Sequence, residues 1–144
     1  MTQEDKELLL KDLSARLPYG VIVRHTDYLV DSDGNYTWQF WYKRGYLYDI
    51  CRLDNMTTTI IESEGSDEEG YEHICDLDRS LPYLRSMSSM TKEEWAEYDN
   101  LSEACKESGY YDVIVDWLNS HHLDYRHLIE KGLALEAPRN MYSF

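Results

Sequence analysis

Lysine and arginine are scarce in this chain, and from residue 62 to residue 78 there are none. The 144 residues hold 28 Asp and Glu against 14 Lys and Arg, a formal net charge of -14, and that one segment carries eight of the acids. A field of this sign repels phosphate backbones and anionic lipid and attracts cations or basic protein surfaces. Direct binding to nucleic acid or to a membrane is therefore not expected. Long apolar runs are missing as well: no stretch approaches the roughly 18 apolar residues of a spanning helix. The start, Met1-Thr2-Gln3-Glu4-Asp5-Lys6, has neither the basic nor the apolar region of a signal peptide. A cytoplasmic protein is the expectation.

Cysteine is sparse. Cys51, Cys75 and Cys105 are widely separated with no CxxC spacing, which predicts reduced, buried thiols rather than a disulfide framework. GxSxG, P-loop and GxGxxG motifs are absent. His73 and Cys75 form a lone pair in an acidic setting that disfavours a thiolate nucleophile. No nucleophilic chemistry is supported, and no cofactor is implied. Aromatics, in contrast, are plentiful, with 13 Tyr and 4 Trp beside only 2 Phe. Disordered acidic chains are poor in aromatics, so the charge sits on a folded body, read as a single domain over 1–144.

The periodicities give its organisation. Thr2 followed by Asp5 resembles a capping box, and Leu9, Leu10, Leu13 and Leu17 recur at helical spacing up to Pro18-Tyr19-Gly20. From Val21 to Ser63 the period becomes two, and turn signals stand at 31–35, at Lys43-Arg44-Gly45 and at Asp54-Asn55. Four antiparallel strands are predicted near 20–30, 35–43, 46–53 and 56–63, with a further return to the sheet at 71–77. Tyr36, Trp38, Phe40 and Tyr42 alternate along the second strand and give it an aromatic face. Thr91 with Glu94 is the clearest capping box, with Met90 stapled to Trp95, and Gly109 can end the helix that follows. Asp112 and Asp124 are read as caps of two shorter helices, the second ending at Gly132. The fold class is α+β: an N-terminal helix, an antiparallel four- to five-stranded meander and C-terminal helices packed on one sheet face.

Three groups of side chains are candidate sites. The first comprises Glu62, Glu64, Asp67, Glu68, Glu69, Glu72, Asp76 and Asp78, a charge density that can bind Ca²⁺ loosely, imitate the phosphates of a nucleic acid or remain a solvated loop. The second is an aromatic patch of Trp41, Tyr46 and Tyr48 on the outer face of the sheet, of the kind that anchors protein interfaces. The third gathers His121, His122 and His127 with Asp116 and Asp124, residue types competent for metal or acid/base work. Its spacing is not HExxH and crosses a predicted cap, so a polar corner is the simpler reading. Asp31-Ser32-Asp33-Gly34-Asn35 departs from a calcium loop, because its glycine is fourth and Tyr42 stands at position twelve.

Three stretches, "TQEDKELLLKDLSARLPYGV" from Thr2, "LPYLRSMSSMTKEEW" from Leu81 and "DWLNSHHLDYRHLIEKGLALEAP" from Asp116, together 58 residues, resemble small uncharacterised acidic proteins of Bacteroidetes genomes and mobile elements. The resemblance implies a bacterial, mobile-element setting and transfers no activity or catalytic residue. It does not reach 22–80.

The leading expectation is a non-enzymatic module that binds a protein with a basic surface, as an inhibitor or decoy acting on a nucleic-acid-binding or defence protein. The alternatives are an enzyme built on Asp116, His121, His122, Asp124 and His127, and a homodimeric structural or regulatory module joined through a strand edge.

Overall fold

The computed structural model describes the backbone of residues 1–30, 33–34, 36–53, 56–63 and 72–142, and their side chains except at 26–30, 36–42, 53, 63, 72 and 73. The chain is α+β and forms two compact units, Met1–Tyr83 and Leu84–Phe144.

In the first unit, α1 (Gln3–Arg16) starts from the capping box that the sequence predicts. The Thr2 hydroxyl accepts from Asp5 N, and Thr2 N donates to the Asp5 carboxylate, each at 3.1 Å. A single 3₁₀ turn, Leu17–Tyr19, follows and stops at Gly20 with φ 66°. The buried stripe of α1 differs from the leucine pattern, since it is Leu9, Asp12, Leu13 and Arg16. Asp12 and Arg16 are fully buried as an ion pair, with Arg16 Nε donating to Asp12 Oδ2 at 2.8 Å.

The sheet of this unit has the order β4-β3-β2-β1-β5. Its strands are β1 (Ile22–Val30), β2 (Tyr36–Leu53), β3 (Met56–Ser63), β4 (Glu72–Asp76) and β5 (Leu81–Leu84). β1 to β4 are consecutive antiparallel neighbours, and β5 pairs with the free side of β1. The strands expected at 35–43 and 46–53 are one continuous strand. Lys43-Arg44-Gly45 does not turn, because β2 is a shared strand whose first part pairs with β1 and whose second part, from Gly45 onward, pairs with β3. Gly45 serves close approach: a Cβ there would lie 2.5 Å from the Glu62 carbonyl oxygen and from Ile61 Cγ2. Leu9, Leu13, Val21, Val23, Leu47, Ile61, Cys75 and Leu77 make the buried apolar core. Within it the Thr59 and Ser80 hydroxyls bond at 2.5 Å, and Ser80 Oγ donates to Asp76 O at 2.9 Å.

The second unit is built on α2 (Lys92–Ser108) and α3 (Asp112–Ser120). Thr91 and Glu94 close their capping box at 3.0 and 3.1 Å, and Gly109 ends α2 in the left-handed region. Met90, Cys105, Ile114, Trp117, Leu118 and Leu123 form its apolar cluster. Val113, in the first turn of α3, is 60 % exposed. Two predicted caps are corrected. Asp112 is the first helical residue of α3, with Tyr111 at the cap position and no side-chain cap bond. No helix runs from Asp124 to Gly132, because His127 adopts φ 60° and a left-handed residue interrupts the α-helical ladder. A two-residue strand, β6 (Leu135–Glu136), follows, and Ala137 N donates to Leu84 O at 2.7 Å.

All three cysteines are free thiols, with Cys75 and Cys105 buried and Cys51 half-buried. Among the described residues no helix is long and apolar enough to cross a membrane.

Candidate functional site

The acidic candidates divide by position. Glu62 is half-buried near the end of β3, Asp76 is half-buried at the end of β4, and Asp78 is exposed in the 3₁₀ turn Leu77–Arg79. Glu72 opens β4 in register with Glu62. Glu64, Asp67, Glu68 and Glu69 lie outside the described residues, as does the side chain of Trp41. The antiparallel register sets Glu62 directly opposite Tyr46 on β2.

Alternation along these strands separates an inner from an outer face. Leu47, Ile61 and Cys75 point inward, at 4 %, 0 % and 2 % exposure. Tyr46, Ile60 and Ile74 take the opposite face, with Ile60 and Ile74 paired across β3 and β4. A register shift between Leu47 and Asp49 makes Tyr48 an extra residue, and the bulge turns it outward beside Asp49. Tyr46, Tyr48 and Ile74 are 42 %, 59 % and 58 % exposed. The outer face therefore joins accessible rings and an accessible isoleucine to the carboxylates of Asp49 and Glu62. Arg24 of β1 and Arg44 of β2 are register partners, and Arg44 stands two residues before Tyr46 on the same strand. Ile60 and Ile74 were not legible as part of this surface, because their exposure depends on the β3–β4 register.

The histidine cluster is dispersed by its hydrogen bonds and backbone. His121 closes α3, with its ring stacked on Trp117 at 4.2 Å and its Nδ1 2.8 Å from Trp117 O. A carbonyl only accepts, so Nδ1 carries the proton. His122 is buried, left-handed at φ 57°, and stacked on Tyr142 at 3.7 Å. His127 and Asp116 are exposed. Asp124 is buried, and its two oxygens accept from Leu128 N at 2.8 Å and Ile129 N at 3.0 Å. Its carboxylate thus caps a non-helical loop. Among the described residues no group of three or more His, Cys, Asp or Glu side chains is placed to hold a metal ion.

A polar centre beside this cluster was missed by the sequence reading. Arg85 grips Glu94 with both guanidinium arms, Nη2 to Oε1 at 2.7 Å and Nη1 to Oε2 at 2.9 Å. Its N–H and C=O bond to His122 O and Asp124 N, which ties the segment after β5 to the turn after α3. The Glu94 pKa is lowered to about 2, chiefly by hydrogen bonding from Arg85, opposed by burial and helped by Thr91 N–H and the charges of Arg85 and His121. The pair floors a cavity of about 500 Å³ that Arg139 and Tyr142 also border. Because Glu94 completes both the cap and the ion pair, this arrangement reads as a structural tie of the second unit. The capping box announced Glu94, but no local signal announced a partner nine residues upstream.

Comparison with protein-family models, with curated proteins and with solved structures found no match to this chain.

Proposed function

We propose that this chain is a non-enzymatic acidic module that binds a protein with a basic surface. It acts in the cytoplasm of a bacterium, in a mobile-element setting, as an inhibitor or decoy for a nucleic-acid-binding or defence protein. The observation that supports this reading is the outer face of β2, β3 and β4. Tyr46, Tyr48 and Ile74 stand exposed there beside Asp49 and Glu62, and exposed aromatic and aliphatic groups rimmed by charge are the composition of protein interfaces. The segment joining β3 to β4 adds Glu64, Asp67, Glu68 and Glu69 to the same region of the sequence, and the net charge of -14 selects for a cationic partner.

The test is capture by the tagged full chain from bacterial lysate, identification of the retained protein, and reconstitution with that protein purified. The variant with Glu64, Glu68, Glu69 and Glu72 changed to Gln and Asp67 to Asn is expected to lose capture while keeping its circular dichroism. Retention of the same protein at undiminished yield by the neutralised chain would remove the acidic segment from the account.

A further inference from the structure

We propose that the outer face of β2 and β3 holds arginine side chains of the protein partner, with Tyr46 and Tyr48 as stacking rings and Glu62 and Asp49 as carboxylate arms. The inference rests on the reading of the chain as a binder of basic protein surfaces, and it names the groups held. Tyr46 and Glu62 are directly opposed on an antiparallel ladder, where paired Cβ atoms lie about 5 Å apart. A ring face and a carboxylate at that separation match the two sides of one guanidinium. The plane stacks on the ring while the N–H edge donates to the oxygens. The bulge repeats the combination next door, since Tyr48 and Asp49 are adjacent and both exposed.

Exposure of 42 % and 59 % leaves both rings accessible. Arginine fits better than lysine, because a planar and weakly hydrated cation can stack and donate at once, whereas an ammonium keeps its water. A nucleic acid can stack bases on tyrosines, but its phosphates would face Asp49 and Glu62. A second copy of this chain, itself at -14, is repelled as a source of arginine. The occupant is therefore an arginine-bearing protein surface.

The probe is a labelled peptide of alternating arginine and alanine, titrated into the full chain beside its lysine and citrulline counterparts. The arginine peptide is expected to bind most tightly and the neutral citrulline peptide not at all, with chemical-shift changes centred on residues 46–49 and 60–62. Tyr46→Leu with Tyr48→Leu keeps the apolar area and removes the rings. It is expected to weaken arginine binding about 5- to 30-fold, as loss of two cation–π contacts implies. Equal binding of the citrulline peptide, unchanged affinity of the double variant, shifts confined to other residues, or displacement of the peptide by a single-stranded DNA oligonucleotide would each overturn the proposal. The two readings fail separately. Peptide binding lost on neutralising 64–72 but kept by the tyrosine variant sinks this inference alone. Partner capture unaffected by that neutralisation, with arginine binding still dependent on the rings, sinks the role of the acidic segment alone.

Discussion

Glu94 shows how much one side chain can hold together. It completes the cap of α2 and receives both arms of Arg85, with the two side chains only 14 % and 15 % exposed. Its folded-state pKa of about 2 lies below the ordinary 4.5. The ionised form is therefore favoured by folding, and the stability it contributes is fully present above about pH 4.5 and lost as the pH falls toward 2. Glu94→Gln is expected to destabilise the protein by roughly 2–3 kcal/mol at pH 7 and to flatten the pH dependence of stability between pH 4.5 and 2. Denaturant titrations of both chains across that range check the expectation. At Gly45 the constraint is steric. Gly45→Ala would drive a methyl group against the Glu62 carbonyl and the Ile61 side chain, and a loss of roughly 1–3 kcal/mol is expected by thermal denaturation.

At the scale of the elements, legibility followed locality. Both capping boxes were read correctly because a cap is written in four consecutive residues. Thr91→Ala, which removes the hydroxyl that accepts from Glu94 N, is expected to cost about 1 kcal/mol in the same denaturant assay. Pairings at a distance left no such trace. Lys43-Arg44-Gly45 reads as a turn, yet the chain runs straight through it as β2, because the choice between a turn and a shared strand is made by β1 and β3. The buried face of α1 was misread for a related reason. Apolar periodicity cannot see that Asp12 and Arg16 neutralise each other in the core. Asp124 was recognised as a capping residue, but the left-handed backbone at His127 turned its helix into a loop. The outer sheet patch was half legible: of the expected Trp41, Tyr46 and Tyr48 the two tyrosines stand exposed and the Trp41 side chain lies outside the described residues, whereas Ile60 and Ile74 joined them only through register.

For the whole molecule, the scarcity of basic residues becomes an account of what approaches it. Glu62, the first of the acids of 62–78, stands directly opposite the exposed Tyr46 of β2. On this account the isolated chain does not self-associate, since copies carrying -14 repel. Light scattering at low and high salt is expected to give the monomer mass in both. A dimer that persists in high salt would favour apolar strand-edge pairing instead. The central claim is attraction of a basic protein surface, and ionic strength acts on it directly. The dissociation constant of the reconstituted complex, measured at about 50 and about 500 mM salt, is expected to rise at least about tenfold for the native chain. The chain neutralised at 64, 67, 68, 69 and 72 should show a weaker complex with a shallower salt response. A dissociation constant that is the same at both salt concentrations, and the same in both chains, would contradict the account.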